Sequence, residues 1–143
     1  MSSQGRLAGK VAVVSGAAAG LGQAFAERLA RDGADLFIAD LNEARETVSR
    51  IEALGRRAVS VRCDTSDPAA VEAMAQQCQS AYGRCDILVN NAGIYFMAPF
   101  ETLSYADWKR LLAVNVDSTF LLSKAFVPGM KQRGWGRIVN LAS

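Results

Sequence analysis

Three glycines stand at 16, 20 and 22 in the run Ser15-Gly16-Ala17-Ala18-Ala19-Gly20-Leu21-Gly22, between an apolar stretch and one of helical periodicity. Such a turn brings free backbone N–H groups against a phosphate, whose charge the positive end of the following helix favours. Gly16, Gly20, Leu21 and Gly22 are therefore candidate contacts for a pyrophosphate. Asp40 follows 18 residues after Gly22. A carboxylate there accepts hydrogen bonds from adenosine ribose hydroxyls and repels a 2′-phosphate. Its neighbours Leu41 and Asn42 offer no cation, and Arg45 is the nearest downstream. The pattern predicts NAD rather than NADP as cofactor, with Asp40 and Leu41 at its adenosine end.

Other chemistry is ruled out by what the composition lacks. The sequence holds no histidine, which removes histidine-based triads and His-ligated zinc, and no metal site is predicted. Three cysteines, Cys63, Cys78 and Cys85, show no C-x-x-C spacing and read as reduced thiols, predicting a cytoplasmic location. Sixteen Lys plus Arg against 14 Asp plus Glu leave a net charge of +2, which argues against nucleic acid or an anionic membrane surface as partner. No run of apolar residues approaches bilayer length, and Met1 to Lys10 reads as a short polar arm.

Elements must hold these residues in place. Apolar, β-branched runs at Val11 to Val14, Leu36 to Ala39, Ala58 to Arg62, Ile87 to Val89 and Arg137 to Leu141 alternate with helical stretches, and their lack of polar alternation predicts burial on both faces. Leu21, Phe25, Arg28 and Leu29 define the expected inward face of the first helix. Gly33, Gly55, Gly83 and Gly134 read as helix stops, Asp67-Pro68 as a helix start, and Ser104 with Asp107 as a capping box. The fold class is α/β, a Rossmann-type doubly wound parallel sheet of five strands. Such a domain normally carries a sixth strand. The expectation is thus that residues 1–143 are an incomplete dinucleotide-binding domain, with its C-terminal strands and helices missing and its fifth strand an open apolar edge.

The glycine spacing of Ser15 to Gly22, the tetrad Asn90-Asn91-Ala92-Gly93 and Asn115 within Val114-Asn115-Val116 occur together and in order. This combination resembles the short-chain dehydrogenase/reductase family over nearly the whole chain. The resemblance implies an oxidoreductase moving hydride between nicotinamide and a secondary alcohol or ketone. It places Asn91, Ala92 and Gly93 beside the cofactor, and Asp64 and Thr65, after Cys63, beside the adenine. It makes Asn115 the residue that bends its helix and holds a water in the proton path, and Ser143 the catalytic serine bonded to the substrate oxygen. A Tyr-x-x-x-Lys pair follows that serine in the family and is absent here. Tyr105 and Lys109 satisfy the pattern literally, but before the serine and on the first exposed turn of a helix. The resemblance further implies a homo-oligomer, dimer or tetramer, through the long helix from Ser104 onward.

The runs Gly83 to Tyr95, Lys124 to Lys131 and Gly134 to Arg137 are similar to bacterial 1-phenylethanol dehydrogenases within the family. That implies an aryl or bulky secondary alcohol, with Tyr95, Phe96 and Met97 lining an apolar pocket. Two other readings stay open. One is a dinucleotide-binding piece without turnover. The other is a different nucleotide-fold enzyme, such as a methyltransferase, sharing only the glycine turn.

Overall fold

The computed structural model describes residues 5–142. Strands β1 (Val11–Ser15), β2 (Asp35–Asp40), β3 (Ala58–Arg62), β4 (Ile87–Asn90) and β5 (Arg137–Asn140) pair in parallel in the order β3-β2-β1-β4-β5. Between them run α1 (Gly20–Arg31), α2 (Arg45–Ala53), α3 (Pro68–Tyr82), α4 (Tyr105–Leu112) and α5 (Ser118–Arg133). The chain moves outward from β1 to β3 and then returns to β4 on the other side of β1. That reversal opens a crevice at the carboxyl ends of β1 and β4, where doubly wound sheets bind ligands.

Period-two alternation divides the sheet between two cores. Ala12, Val14, Leu36 and Ile38 pack with Ala26, Ala30 and Ile51 of α1 and α2. Val13, Phe37, Ala39 and Leu88 pack with Met74 of α3 and Leu122 and Phe126 of α5. Burial on both faces is complete in β1 and β4 and extends over Leu36 to Ala39 of β2. It fails on the two edges: β3 is mixed, and β5 is exposed along its whole length. An edge strand has one neighbour, and nothing among the described residues covers the outer side of β5.

Three sequence expectations need correction. The inward face of α1 is Gly22, Ala26 and Ala30, while Phe25 and Leu29 are half-buried and Leu21 and Arg28 point outward. Small side chains let α1 lie close on the sheet, so size outranks hydrophobicity there. From Gly5 onward the N-terminal segment is docked rather than a free arm. Leu7 N–H donates to Asp32 O at 2.7 Å, its side chain joins the core, and Lys10 Nζ lies 4.2 Å from the centre of the Trp135 ring. Arg137 covers that ring as well, at 4.7 Å. Finally, Tyr105–Arg133 forms a continuous helical stretch of 29 residues that is, by length and composition, long and apolar enough to cross a bilayer. Here Leu122, Phe126 and Met130 of that stretch are buried against the sheet.

The expected helix signals act locally. Asp67 accepts from Ala69 N–H at 3.2 Å with Pro68 in the first turn, and Gly83 closes α3 at φ +72°. Ser104 Oγ accepts from Asp107 N–H at 3.0 Å, which is half of a capping box.

Candidate functional site

At the end of β1 the backbone turns through Gly16 at φ +71°, where a Cβ would stand 2.9 Å from Ala92 Cα. A Cβ on Gly22 would be 2.2 Å from Gly16 O, so the turn closes only on glycine. Gly20, at φ +62°, has open space beside it. Unlike α3 and α4, α1 has no side-chain cap: Ala19 supplies none, and the N–H groups of Gly20, Leu21 and Gly22 find no acceptor among the described residues. Open donors at the positive end of a helix, above a turn without side chains, fit an anionic diphosphate.

The turn is tied to the end of β4. Ser15 Oγ accepts from Asn91 N–H at 3.0 Å and Ala92 N–H at 2.9 Å, and Asn91 Nδ2 donates to Ser15 O and Gly16 O, each at 3.1 Å. Asp40, closing β2, accepts Ala18 N–H on Oδ2 at 3.0 Å and Asn42 N–H on Oδ1 at 2.8 Å. These bonds fix the carboxylate and leave each oxygen a further lone pair for a ribose hydroxyl. Two cations stand nearby. Arg45 Nε lies 2.8 Å from Glu43, and Arg62, beside Asp40 in register, donates Nε to Leu41 O at 3.1 Å.

One cleft of about 280 Å³ brings together Gly16, Asp40, Leu41, Asp64, Thr65, Asn91, Ala92 and Gly93, with Ile94 and Val114 beside them. Gly20, Leu21 and Gly22 follow in the first turn of α1 and do not line it. Asp64 Oδ1 accepts from both Ser66 N–H, at 3.0 Å, and Ser66 Oγ–H, at 2.6 Å, and Thr65 is buried. Burial, reinforced by Asp64 and Asp67, pushes the Cys63 thiol up to about 11, so at neutral pH it is an uncharged lining residue.

Asn115 sits in a single π-helical turn, Ala113–Asp117, which joins α4 to α5. Its Oδ1 accepts from Ile94 N–H at 2.8 Å and its Nδ2 donates to Ile94 O at 2.9 Å. The side chain is therefore a clamp on the backbone just past Gly93. Ser143 lies outside the described residues. Tyr105 is exposed on the first turn of α4, Lys109 Nζ is 5.5 Å from its ring centre, and neither lines the cleft. Tyr95 and Met97 are exposed, Phe96 is half-buried, and none of the three borders the cleft.

The family model for short chain dehydrogenases matches residues 10–143. The chain belongs to this family. As a short-chain dehydrogenase it is 43% identical over 140 residues to the D-threitol dehydrogenase of Mycolicibacterium smegmatis, covering 96% of this chain and 54% of that protein. It is 38% identical over 139 residues to the D-beta-hydroxybutyrate dehydrogenase of Cupriavidus necator, with the same two coverages, 96% and 54%. The crystal structure of a metagenomic short-chain oxidoreductase in complex with NADP superposes with a TM-score of 0.90 at 41% identity, over 96% of this chain and 63% of that one. The chain thus spans about half the length of the curated relatives it matches.

Sequence reasoning missed three residues in this short-chain dehydrogenase: Ser15, Thr47, whose Oγ donates to Ala17 O of the turn at 2.7 Å, and Ile94. Ser15 has a local signal, a hydroxyl at a strand end directly before a turn glycine. Thr47 has a weaker one, standing four residues before the buried Ile51 on one face of α2. Ile94 takes part through its backbone, which leaves no mark on residue type.

Proposed function

We propose that these residues are the NAD-binding part of an oxidoreductase that transfers a hydride between the nicotinamide ring and a secondary alcohol or ketone. The observation that carries the reading is the Asp40 carboxylate, held by two backbone N–H groups at the border of the cleft that collects Gly16, Asp64 and Asn91 to Gly93. When bound, the nicotinamide supplies the hydride chemistry. Asp40 binds the ribose hydroxyls and opposes a 2′-phosphate. The uncapped start of α1 receives the pyrophosphate. Asn91, through Ser15 and Gly16, keeps the ends of β1 and β4 in register under the cofactor, and Asn115 holds the Ile94 backbone. Ser143 is assigned to the substrate oxygen from the family resemblance.

A structural relative is in complex with NADP, so the choice of cofactor rests on position 40. Calorimetric titration of the full-length protein tests it: NADH is expected to bind at least about tenfold tighter than NADPH, and the reverse order overturns the assignment.

The similarity of three runs to 1-phenylethanol dehydrogenases supports an aryl-bearing substrate. Relatives named for threitol and hydroxybutyrate make the comparison concrete. Turnover on matched aryl ketones, polyols and hydroxy acids is expected to favour the aryl group, and indifference to it removes this refinement. The apolar stripe Trp108, Leu112, Val116 and Phe120, exposed at every fourth residue, supports a homo-oligomer, which sedimentation checks. The uncharged, buried thiols support a cytoplasmic setting.

A second reading applies to residues 1–143 taken alone: they bind the dinucleotide without turning it over. The observation favouring it is that no tyrosine or lysine among the described residues lines the cleft. Replacing Tyr105 by Phe in the full-length enzyme is expected to leave activity intact, and loss of turnover would bring Tyr105 back as the proton donor.

A further inference from the structure

Thr47 reaches from α2 into the floor of the glycine turn. It is fully buried, its Oγ donates to Ala17 O at 2.7 Å, and the same oxygen accepts from Gln23 Nε2 at 2.9 Å. The Gln23 bond occupies a lone pair of the hydroxyl and leaves its proton for the Ala17 carbonyl, the nearer of two acceptors, with Ala18 O at 3.3 Å. On the opposite pole of the same peptide unit, Ala18 N–H donates to Asp40 Oδ2 at 3.0 Å. The Ala17–Ala18 peptide is therefore held at both ends, its carbonyl by α2 and its N–H by the end of β2.

That peptide lies between Gly16, which has a left-handed φ, and Ala19, the residue before α1. Its orientation is set by Ala17 ψ and Ala18 φ, and the two hydrogen bonds at its poles hold both. A rotated 17–18 peptide would aim a carbonyl oxygen outward from a turn whose function is to present N–H groups to an anion. It would also withdraw the N–H that anchors Asp40.

We propose that Thr47 is a positioning residue of the dinucleotide site, keeping the Ala17 carbonyl turned into the protein so that the turn stays receptive to pyrophosphate. Through one peptide it also couples the turn to the ribose carboxylate. This inference rests on the reading of the cleft as a dinucleotide site.

The test uses the full-length protein with Thr47→Val, which removes the hydroxyl at nearly constant volume, and Thr47→Ser, which keeps it. Calorimetric NADH titration and steady-state kinetics are expected to show Kd and cofactor KM raised about tenfold in Thr47→Val, with kcat and substrate KM within about twofold of wild type. Thr47→Ser is expected to stay within about twofold throughout. A merely structural residue would lower kcat through a smaller active fraction and leave cofactor KM unchanged. Wild-type affinity in Thr47→Val, or equal weakening in Thr47→Ser, overturns the proposal. If Thr47→Val does not fold, Gln23→Leu removes the bond that orients the hydroxyl. Its cofactor Kd is then expected to rise about threefold, and an unchanged Kd overturns the proposal equally. A wild-type protein that binds neither NADH nor NADPH removes the dinucleotide reading and this inference together. Normal wild-type binding with an unaffected Thr47→Val removes only the role of Thr47.

Discussion

A Cβ on Gly22 would meet Gly16 O at 2.2 Å and Asn91 Nδ2 at 2.5 Å, and Asn91 is itself bonded to Ser15 and Gly16. No flexible side-chain tip is available to yield. Gly22→Ala is therefore expected to cost about 1–3 kcal/mol of stability and to abolish measurable NADH binding, read by chemical denaturation and calorimetry. At the other end of the sheet Asp86 is buried. Its oxygens accept from Arg84 at 2.7 and 2.8 Å and from Val11 N–H at 2.9 Å, with Arg133 Nε at 3.8 Å. Burial pushes its pKa up, but the Arg84 and Val11 hydrogen bonds and the two arginine charges outweigh burial and hold the carboxyl below its ordinary value. A lowered folded pKa means the stabilisation is complete above the unfolded value of about 3.9 and is lost as pH falls through the folded one. Urea unfolding at a series of pH values is expected to show a loss of stability below about pH 4 that is much smaller in Asp86→Asn, whose own cost at neutral pH is about 3 kcal/mol. Gly16, Gly22 and Asp40 are legible in the sequence because their roles are set by neighbours within one turn or strand end. Thr47 is not, because a threonine in a helix acquires meaning from the Ala17 carbonyl 30 residues away, and Asp86 is legible only in part, since Arg84 is two residues off but the Val11 N–H is 75 away.

The same division separates the elements. Capping at Ser104 is a local property, and Ser104→Ala is expected to cost about 1 kcal/mol, checked by denaturation. The widened turn at Asn115 is a different matter. An asparagine inside an apolar helix reads as an anomaly, and its resolution, two hydrogen bonds to Ile94, requires the loop after β4 to fold back onto it. Removing the amide with Asn115→Ala is expected to speed hydrogen exchange at the Ile94 amide by at least about tenfold while amides of β1 and β4 stay protected. Unchanged exchange would mean that packing, not the clamp, orders this loop. The inward face of α1 shows the limit of periodicity. Leu21 and Phe25 mark a helix correctly, yet alanine and glycine turn inward because α1 must approach the glycine turn that it follows.

At the scale of the molecule, the alternation of strand and helix is sufficient to give a parallel doubly wound sheet, because right-handed crossovers leave few arrangements, whereas the order β3-β2-β1-β4-β5 and the division into two cores emerge only in the structure. Edge behaviour is less legible: β3 and β5 carry apolar residues in mid-strand, Val59 and Val61, Ile138 and Val139, as central strands do, but have half the neighbours. With β5 exposed throughout and Trp108, Leu112, Val116 and Phe120 facing solvent, residues 1–143 expressed alone are expected to associate at micromolar concentration. Light scattering checks this, and a stable monomer of 15.3 kDa with cooperative, reversible unfolding would contradict it. The ring of Trp135 between Lys10 and Arg137 has an optical consequence. Lys10 leads into β1 and Arg137 opens β5, two strands with β4 between them, so the indole reads, through its emission, whether the start of β5 stays docked near the start of β1. The other tryptophan, Trp108, is half-exposed on α4 and emits from a wetter setting. Two colours of intrinsic light, one from the foot of the sheet and one from its exposed helix, thus distinguish undocking of β5 from covering of the α4 surface without any label.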